Sequence, residues 1–346
     1  MTCRTPAGWL RWPFWNDAQR RLRTVWRMLA TLLLLFLFGA AAHAARSRWF
    51  DVVAPPPVLP ELLGTAALLL ALWAAARLVD RRAFAEFGLR LDRRWWADAA
   101  FGLALGAALM TLIFGVHYAA GWVTLESAPA ARDSGPAVRL ALVAAVVGHI
   151  ATGVIEELLM RGYGLKNIAE GLRGVVGRDV TAVLSALVAT SALFGVLHGF
   201  NPGSSAAAVL NIVLAGLLLG LACAVTGQLA LPIGLHIGWN FFEGSVYGFP
   251  VSGSHARFSL LRVSASGPEW ITGGAFGPEA GALAALVMPL GAAAVMVWAR
   301  AFRGSARIRG ELARYSRSGK LSGVPAAPDE ISPLSQDSER SPPLSC

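Results

Sequence analysis

Eight runs of about 20 largely apolar residues, separated by short loops rich in arginine, leave this chain few ways to fold. They lie near 25–44, 59–79, 97–122, 137–160, 180–199, 207–226, 229–248 and 279–302. Of the 346 residues 55% are hydrophobic and only 15% are charged, against about 25% charged in a soluble domain. No soluble core hides that many apolar runs, so a bilayer must be the solvent. The expected fold class is all-α: a polytopic transmembrane helical bundle of about eight spans. Small residues at close spacing, as in Gly216-Leu217-Leu218-Leu219-Gly220, let helices approach closely in lipid and favour a tight bundle.

Arginine sets the orientation. Arg20, Arg21, Arg23 and Arg27 precede or open the first run, and Arg77, Arg81, Arg82, Arg90, Arg93 and Arg94 crowd the second loop. Arg300, Arg303, Arg307 and Arg309 end or follow the last run, whereas the odd-numbered loops hold few, such as Arg46 and Arg48. Positive loops stay inside, which places both termini in the cytoplasm. The expected organisation is a basic cytoplasmic segment over 1–24, a bundle over 25–303 and a polar tail over 304–346. The tail, ending Ser341-Pro342-Pro343-Leu344-Ser345-Cys346, has too little apolar surface to order itself. The basic start and Ala42-His43-Ala44 also resemble a secretory signal, but no soluble domain follows, and an uncleaved first span is the favoured reading. An Arg- and Ala-rich composition suggests a GC-rich bacterial source, and hence the bacterial cytoplasmic membrane.

The net charge of +9 comes mostly from these loop arginines. Nucleic-acid binding needs a contiguous basic face, so no nucleic-acid partner is expected. Cys3, Cys223 and Cys346 are far apart and share neither a disulfide nor a zinc-ribbon spacing.

An ionisable side chain inside a span costs several kcal/mol even on the milder scales, so each one demands a reason. Glu156 and Glu157 lie late in the fourth run, followed by Arg161. Glu157 and Arg161 are four apart and share a helical face, which allows a structural ion pair. Glu156 points about 100° away and lacks that partner; an unpaired glutamate in an apolar site can serve as a base. His149 lies two turns earlier. His198 closes the fifth run, with Gly195 and Gly199 flanking it and leaving room for an approach. A lone histidine on an apolar face is more often a satisfied core residue. His236 and Asn240, with Glu243 three residues on, share a face of the run that begins after Pro232. Two polar side chains on one face in lipid point to a water-filled cavity. Three runs thus supply a carboxylate, two imidazoles and an amide, a set able to activate water and hold an oxyanion.

Glu-Glu-x-x-x-Arg, then Phe-x-x-x-His, then His-x-x-x-Asn, in that order on separate spans, resembles the CPBP family. This family comprises type II CAAX prenyl endopeptidases and bacterial bacteriocin-processing or self-immunity proteins. Phe87-Gly88-Leu89-Arg90, Asn201-Pro202 and the run from Thr226 to Gly253 resemble it too, so the likeness covers roughly 85–255. It implies an intramembrane endopeptidase acting on a protein or peptide, lipidated in some members. By position, Glu156 would activate water, His198 would help hold it, and His236 and Asn240 would stabilise the oxyanion. Glu157 and Arg161 would orient the first cluster. Glu156, His198 and His236 would also make a His₂Glu zinc site with water in the fourth position. The same residue types serve a metal-free glutamate protease, and Asn240 suits an oxyanion hole better than a zinc site. The rival readings are a non-catalytic scaffold or self-immunity protein on the same fold and, without paired halves in the sequence, a transporter. A simple antiparallel layout puts Glu156 near the inner end of one span and His198 near the outer end of the next. They meet only if the fourth helix runs on through 161–178.

Overall fold

The computed structural model describes residues 13–50, 58–126 and 136–315. Nine principal helices carry them: α1 (Thr24–Phe50), α2 (Val58–Ala74), α3 (Arg93–Ala119), α4 (Pro136–Glu157), α5 (Lys166–Val176), α6 (Asp179–His198), α7 (Ala206–Thr226), α8 (Ala230–Asn240) and α9 (Ala282–Arg303). Among the described residues, seven helical segments are long and apolar enough to cross a membrane, so the protein is a multi-pass membrane protein. Their outer faces show large apolar side chains, with Phe36 70% and Leu286 66% exposed. Hydrocarbon rather than water is the natural solvent for such a surface.

The seventh of the eight expected runs, 229–248, is a helix of another kind. It forms α8 and continues as a π-helical segment, Phe241–Tyr247, without the apolar character of the other seven. Neighbouring helices rather than lipid surround it, since Ala230 through His236 are all buried. A helix wrapped by protein can carry His236, Asn240 and Glu243 where a lipid-facing one cannot.

Close packing fixes where α8 sits. Gly102 and Gly106 of α3 lie against the Leu231 and Leu235 carbonyls, while Gly234 and Gly238 of α8 lie against those of Ala99 and Leu103. A Cβ at any of the four would collide with backbone, which no rotamer can relieve. The reciprocal glycines therefore set the height and rotation of the helix bearing His236 and Asn240. Gly238→Ala is expected to destabilise the bundle by about 1–3 kcal/mol, measured by unfolding in mixed micelles. Gly39→Ala, on a helix face where a new Cβ meets nothing, should be silent.

The fourth span is longer than the sequence boundaries suggested. α4 continues through a π-helical segment (Leu158–Leu165) into α5, giving one rod over Val138–Val176. Its 39 residues reach on the order of 55 Å at about 1.5 Å each, well beyond a hydrocarbon core of about 30 Å. Glu156 thus lies near the middle of the rod, and the separation from His198 expected from a simple antiparallel layout disappears.

The N-terminal segment is built into the fold. A short hairpin pairs Trp15–Asn16 with Arg21–Leu22. The buried Arg21 and Arg27 reach Glu170 of α5 and Asp80 at 2.7 and 2.9 Å, and Arg82 reaches Glu170 at 2.6 Å. α1 runs unbroken past Ala44. Residues 304–315 dock: Leu312 and Ala313 are buried, Arg309 donates to the Val225 carbonyl at 3.1 Å, and Tyr315 stacks under Arg21. The rest of the expected tail, 316–346, lies outside the described residues.

Candidate active site

Three helices bring four of the singled-out residues to one cavity of about 600 Å³. α4 supplies Glu156, α6 ends on His198, and α8 supplies His236 and Asn240; all four line the cavity. Both helices bearing Glu156 and Asn240 change to π-helical winding just beyond these residues. Such widened turns recur at functional sites because they rotate the side chains on either side out of ordinary helical register.

Glu157 is the hinge of the arrangement. Its Oε1 accepts from Arg161 Nη1 at 2.7 Å and contacts His236 Nδ1 at 2.9 Å. Glu157 and Arg161 are fully buried. Arg161 also donates to the Gly216 carbonyl at 3.2 Å and stacks its guanidinium 4.5 Å from the Phe194 ring centre. The chain Arg161–Glu157–His236 fixes the imidazole plane and leaves Nε2 towards the cavity. A histidine steered by a carboxylate on one nitrogen presents the other for chemistry.

Glu156 has the separate environment that its helical position implied. Its Oε2 has no hydrogen-bond partner among the described residues and lies 3.8 Å from His236 Nε2. The side chain is 32% exposed, in contrast to its buried neighbour. His198 is held through Nδ1, which bonds the Phe194 carbonyl at 2.8 Å, while its ring packs 4.4 Å from that of Phe194. With Nδ1 donating, His198 Nε2 is left to accept a bond from the cavity.

Two sequence readings change. The space expected beside Gly195 and Gly199 is filled by α7, because both glycines abut Val209, and Gly195 also abuts Val213. They allow a close helix crossing instead of an approach by substrate. Glu243 is fully buried and does not line the cavity, since the π-helical winding turns it off the face shared by His236 and Asn240. Among the described residues no three His, Cys, Asp or Glu side chains are grouped to hold a metal ion. Glu157 and the Phe194 carbonyl each engage Nδ1 of a cavity histidine and leave its Nε2 open, an orientation that a metal ligand and a metal-free donor share.

Other polar groups join them. Glu279 and Ser252 line the same cavity, from the loop between α8 and α9. His149 lines it too, its Nε2 2.9 Å from Ser245 Oγ. At the mouth, Glu61 of α2 lies 3.7 Å from Arg257.

Residues 138–242 match the model of a known family, described as type II CAAX prenyl endopeptidase Rce1-like. The matched segment carries that family's domain and supports the CPBP resemblance; it is narrower than the expected 85–255. It includes Glu156, Glu157, Arg161, His198, His236 and Asn240. No curated protein and no solved structure matches the chain.

Proposed function

We propose, from the family domain at residues 138–242 and the cavity that it helps to enclose, that this protein hydrolyses peptide bonds within the membrane. The carrying observation is the convergence of Glu156, His198, His236 and Asn240 on one cavity inside an otherwise apolar bundle. Glu156 takes a proton from a water molecule that His198 Nε2 holds. The hydroxide attacks the carbonyl carbon, and the developing oxyanion accepts from Asn240 Nδ2 and from His236 Nε2. As imidazolium, His236 donates from both nitrogens, Nδ1 to Glu157 and Nε2 to the oxyanion. Arg161 balances Glu157, so the carboxylate stays charged while steering the ring. Fixed donors in a water-poor site stabilise the transition state because they need no reorganisation.

Part of the wall formed by α2 and α4 is apolar, with Leu68, Ala144, Ala145, Ala151 and Ile155 among its residues. It suits a protein or peptide segment that bears a lipid. The arginine-rich loops favour a bacterial cytoplasmic-membrane protein with both termini inside, and fractionation that places it in another membrane would contradict this.

The test is cleavage of a quenched-fluorescence farnesylated CAAX peptide by the detergent-purified protein, with and without a strong chelator. Wild type is expected to cleave it at an unchanged rate under chelation, since no step runs through a metal. Activity abolished by the chelator and restored by zinc would overturn that mechanism. The unfarnesylated peptide, run in parallel, reads the contribution of the lipid.

A further inference from the structure

Resting on that reading, the cavity holds a deep carboxyl group, Glu279, that the scheme above does not employ. Glu279 lies in the loop before α9, outside the residues that match the family. Its side chain is built into place. Glu279 Oε2 accepts from both the backbone N–H and the hydroxyl of Ser252, at 2.8 and 2.6 Å. Asn211, buried in α7, donates to the main-chain carbonyls of Glu279 and Gly281, each at 2.9 Å. Asn201 Nδ2 in turn holds the Ser252 carbonyl at 3.1 Å. Gly253 passes so close to Pro202 that a Cβ there would strike its carbonyl. Three chain segments therefore hold a carboxyl at the cavity wall, with Oε2 engaged by Ser252.

We propose that Glu279 is the general acid that protonates the departing amine. Peptide hydrolysis needs such a group, because an amide nitrogen leaves poorly as an anion. When the tetrahedral intermediate collapses, the electron pair on the oxyanion re-forms the carbonyl. The C–N bond breaks, and nitrogen keeps the C–N bonding pair while taking the Glu279 proton. Water has meanwhile given one proton to Glu156, and this proton returns through cavity water to the Glu279 carboxylate. The products are one carboxylic acid and one amine, with no other reactant. The two glutamates divide the work by environment. Glu156 is partly exposed, whereas burial pushes the Glu279 carboxyl above the usual carboxylate range, against the pull of its Ser252 bonds and of His198 and His236. The buried Glu243 carboxyl, which also faces it, adds no positive charge. Two carboxyls set apart in this way are the usual mark of an acid and a base.

A pair of substrates tests the assignment. One is the farnesylated peptide; the other carries the same acyl segment as an activated aryl ester, whose leaving group needs no proton. Glu279→Gln keeps the side-chain shape and can still accept from Ser252. It is expected to lower amide turnover by about a hundredfold or more and to leave ester turnover little changed, whereas Glu156→Gln loses both. Glu279→Asp, an acid on a shorter arm, should cleave the amide faster than Glu279→Gln, an order that a purely structural role would reverse. Should Glu279→Gln not fold, Glu279→Asp and Ser252→Ala carry the same comparison, each lowering amide turnover selectively. Equal losses on amide and ester, or no loss on the amide, would overturn the acid role. Wild type that cleaves neither substrate would instead overturn the protease reading.

Discussion

Glu156→Gln is expected to abolish peptide cleavage, by about 10²–10⁴-fold or more, while leaving the bundle folded. The side chain makes no hydrogen bond through Oε2 among the described residues and is partly exposed to the cavity. An isosteric amide there removes only a 3.8 Å charge contact with His236 that is not a hydrogen bond and no packing contact, so the unfolding midpoint should move little. What disappears is the base. The check is turnover together with a thermal melt of the same preparation. A variant that melts like wild type and cleaves at the wild-type rate would remove Glu156 from the mechanism.

The neighbouring residue should behave in the opposite way. Glu157→Gln leaves Arg161 buried without its counter-charge, and loss of one partner from a buried pair costs about 3–5 kcal/mol. His236 loses its orienting carboxylate in the same step, since both contacts meet on Oε1. The expected result is a sharply lowered melting temperature and poor recovery from membranes. Arg161→Gln should show the same instability, because the stranded charge is then Glu157. If Glu157→Gln melted like wild type and Glu156→Gln unfolded, the division of labour between the adjacent glutamates would be reversed.

The sequence exposes those features that depend on composition or helical period. Long apolar runs announce seven of the helices because lipid demands them. α8 is legible only as a run interrupted by His236, Asn240 and Glu243, because a helix enclosed by protein is freed from that demand. The i,i+4 spacing of Glu157 and Arg161 predicts a contact that the structure contains. The 79-residue separation between Glu157 and His236 leaves no periodic trace. The same holds for the glycines of α3 and α8: each pair is visible, but their mutual seating is a property of the packed bundle. Residues 304–315 look like ordinary polar tail, yet Leu312 and Ala313 find a buried site. Glu279 resembles a residue at the edge of an apolar run. Only the cradle of Ser252 and Asn211, contributed by distant segments, marks it as a cavity group.

The most direct measurement of hydrolysis at this cavity is mass spectrometry of the peptide products made in ¹⁸O-labelled water. Wild type should yield a new carboxyl terminus carrying one solvent oxygen in a single turnover, and Glu156→Gln should yield none. Intact peptide from wild type, or equal product from both proteins, would contradict the assignment of Glu156 as the base that activates water.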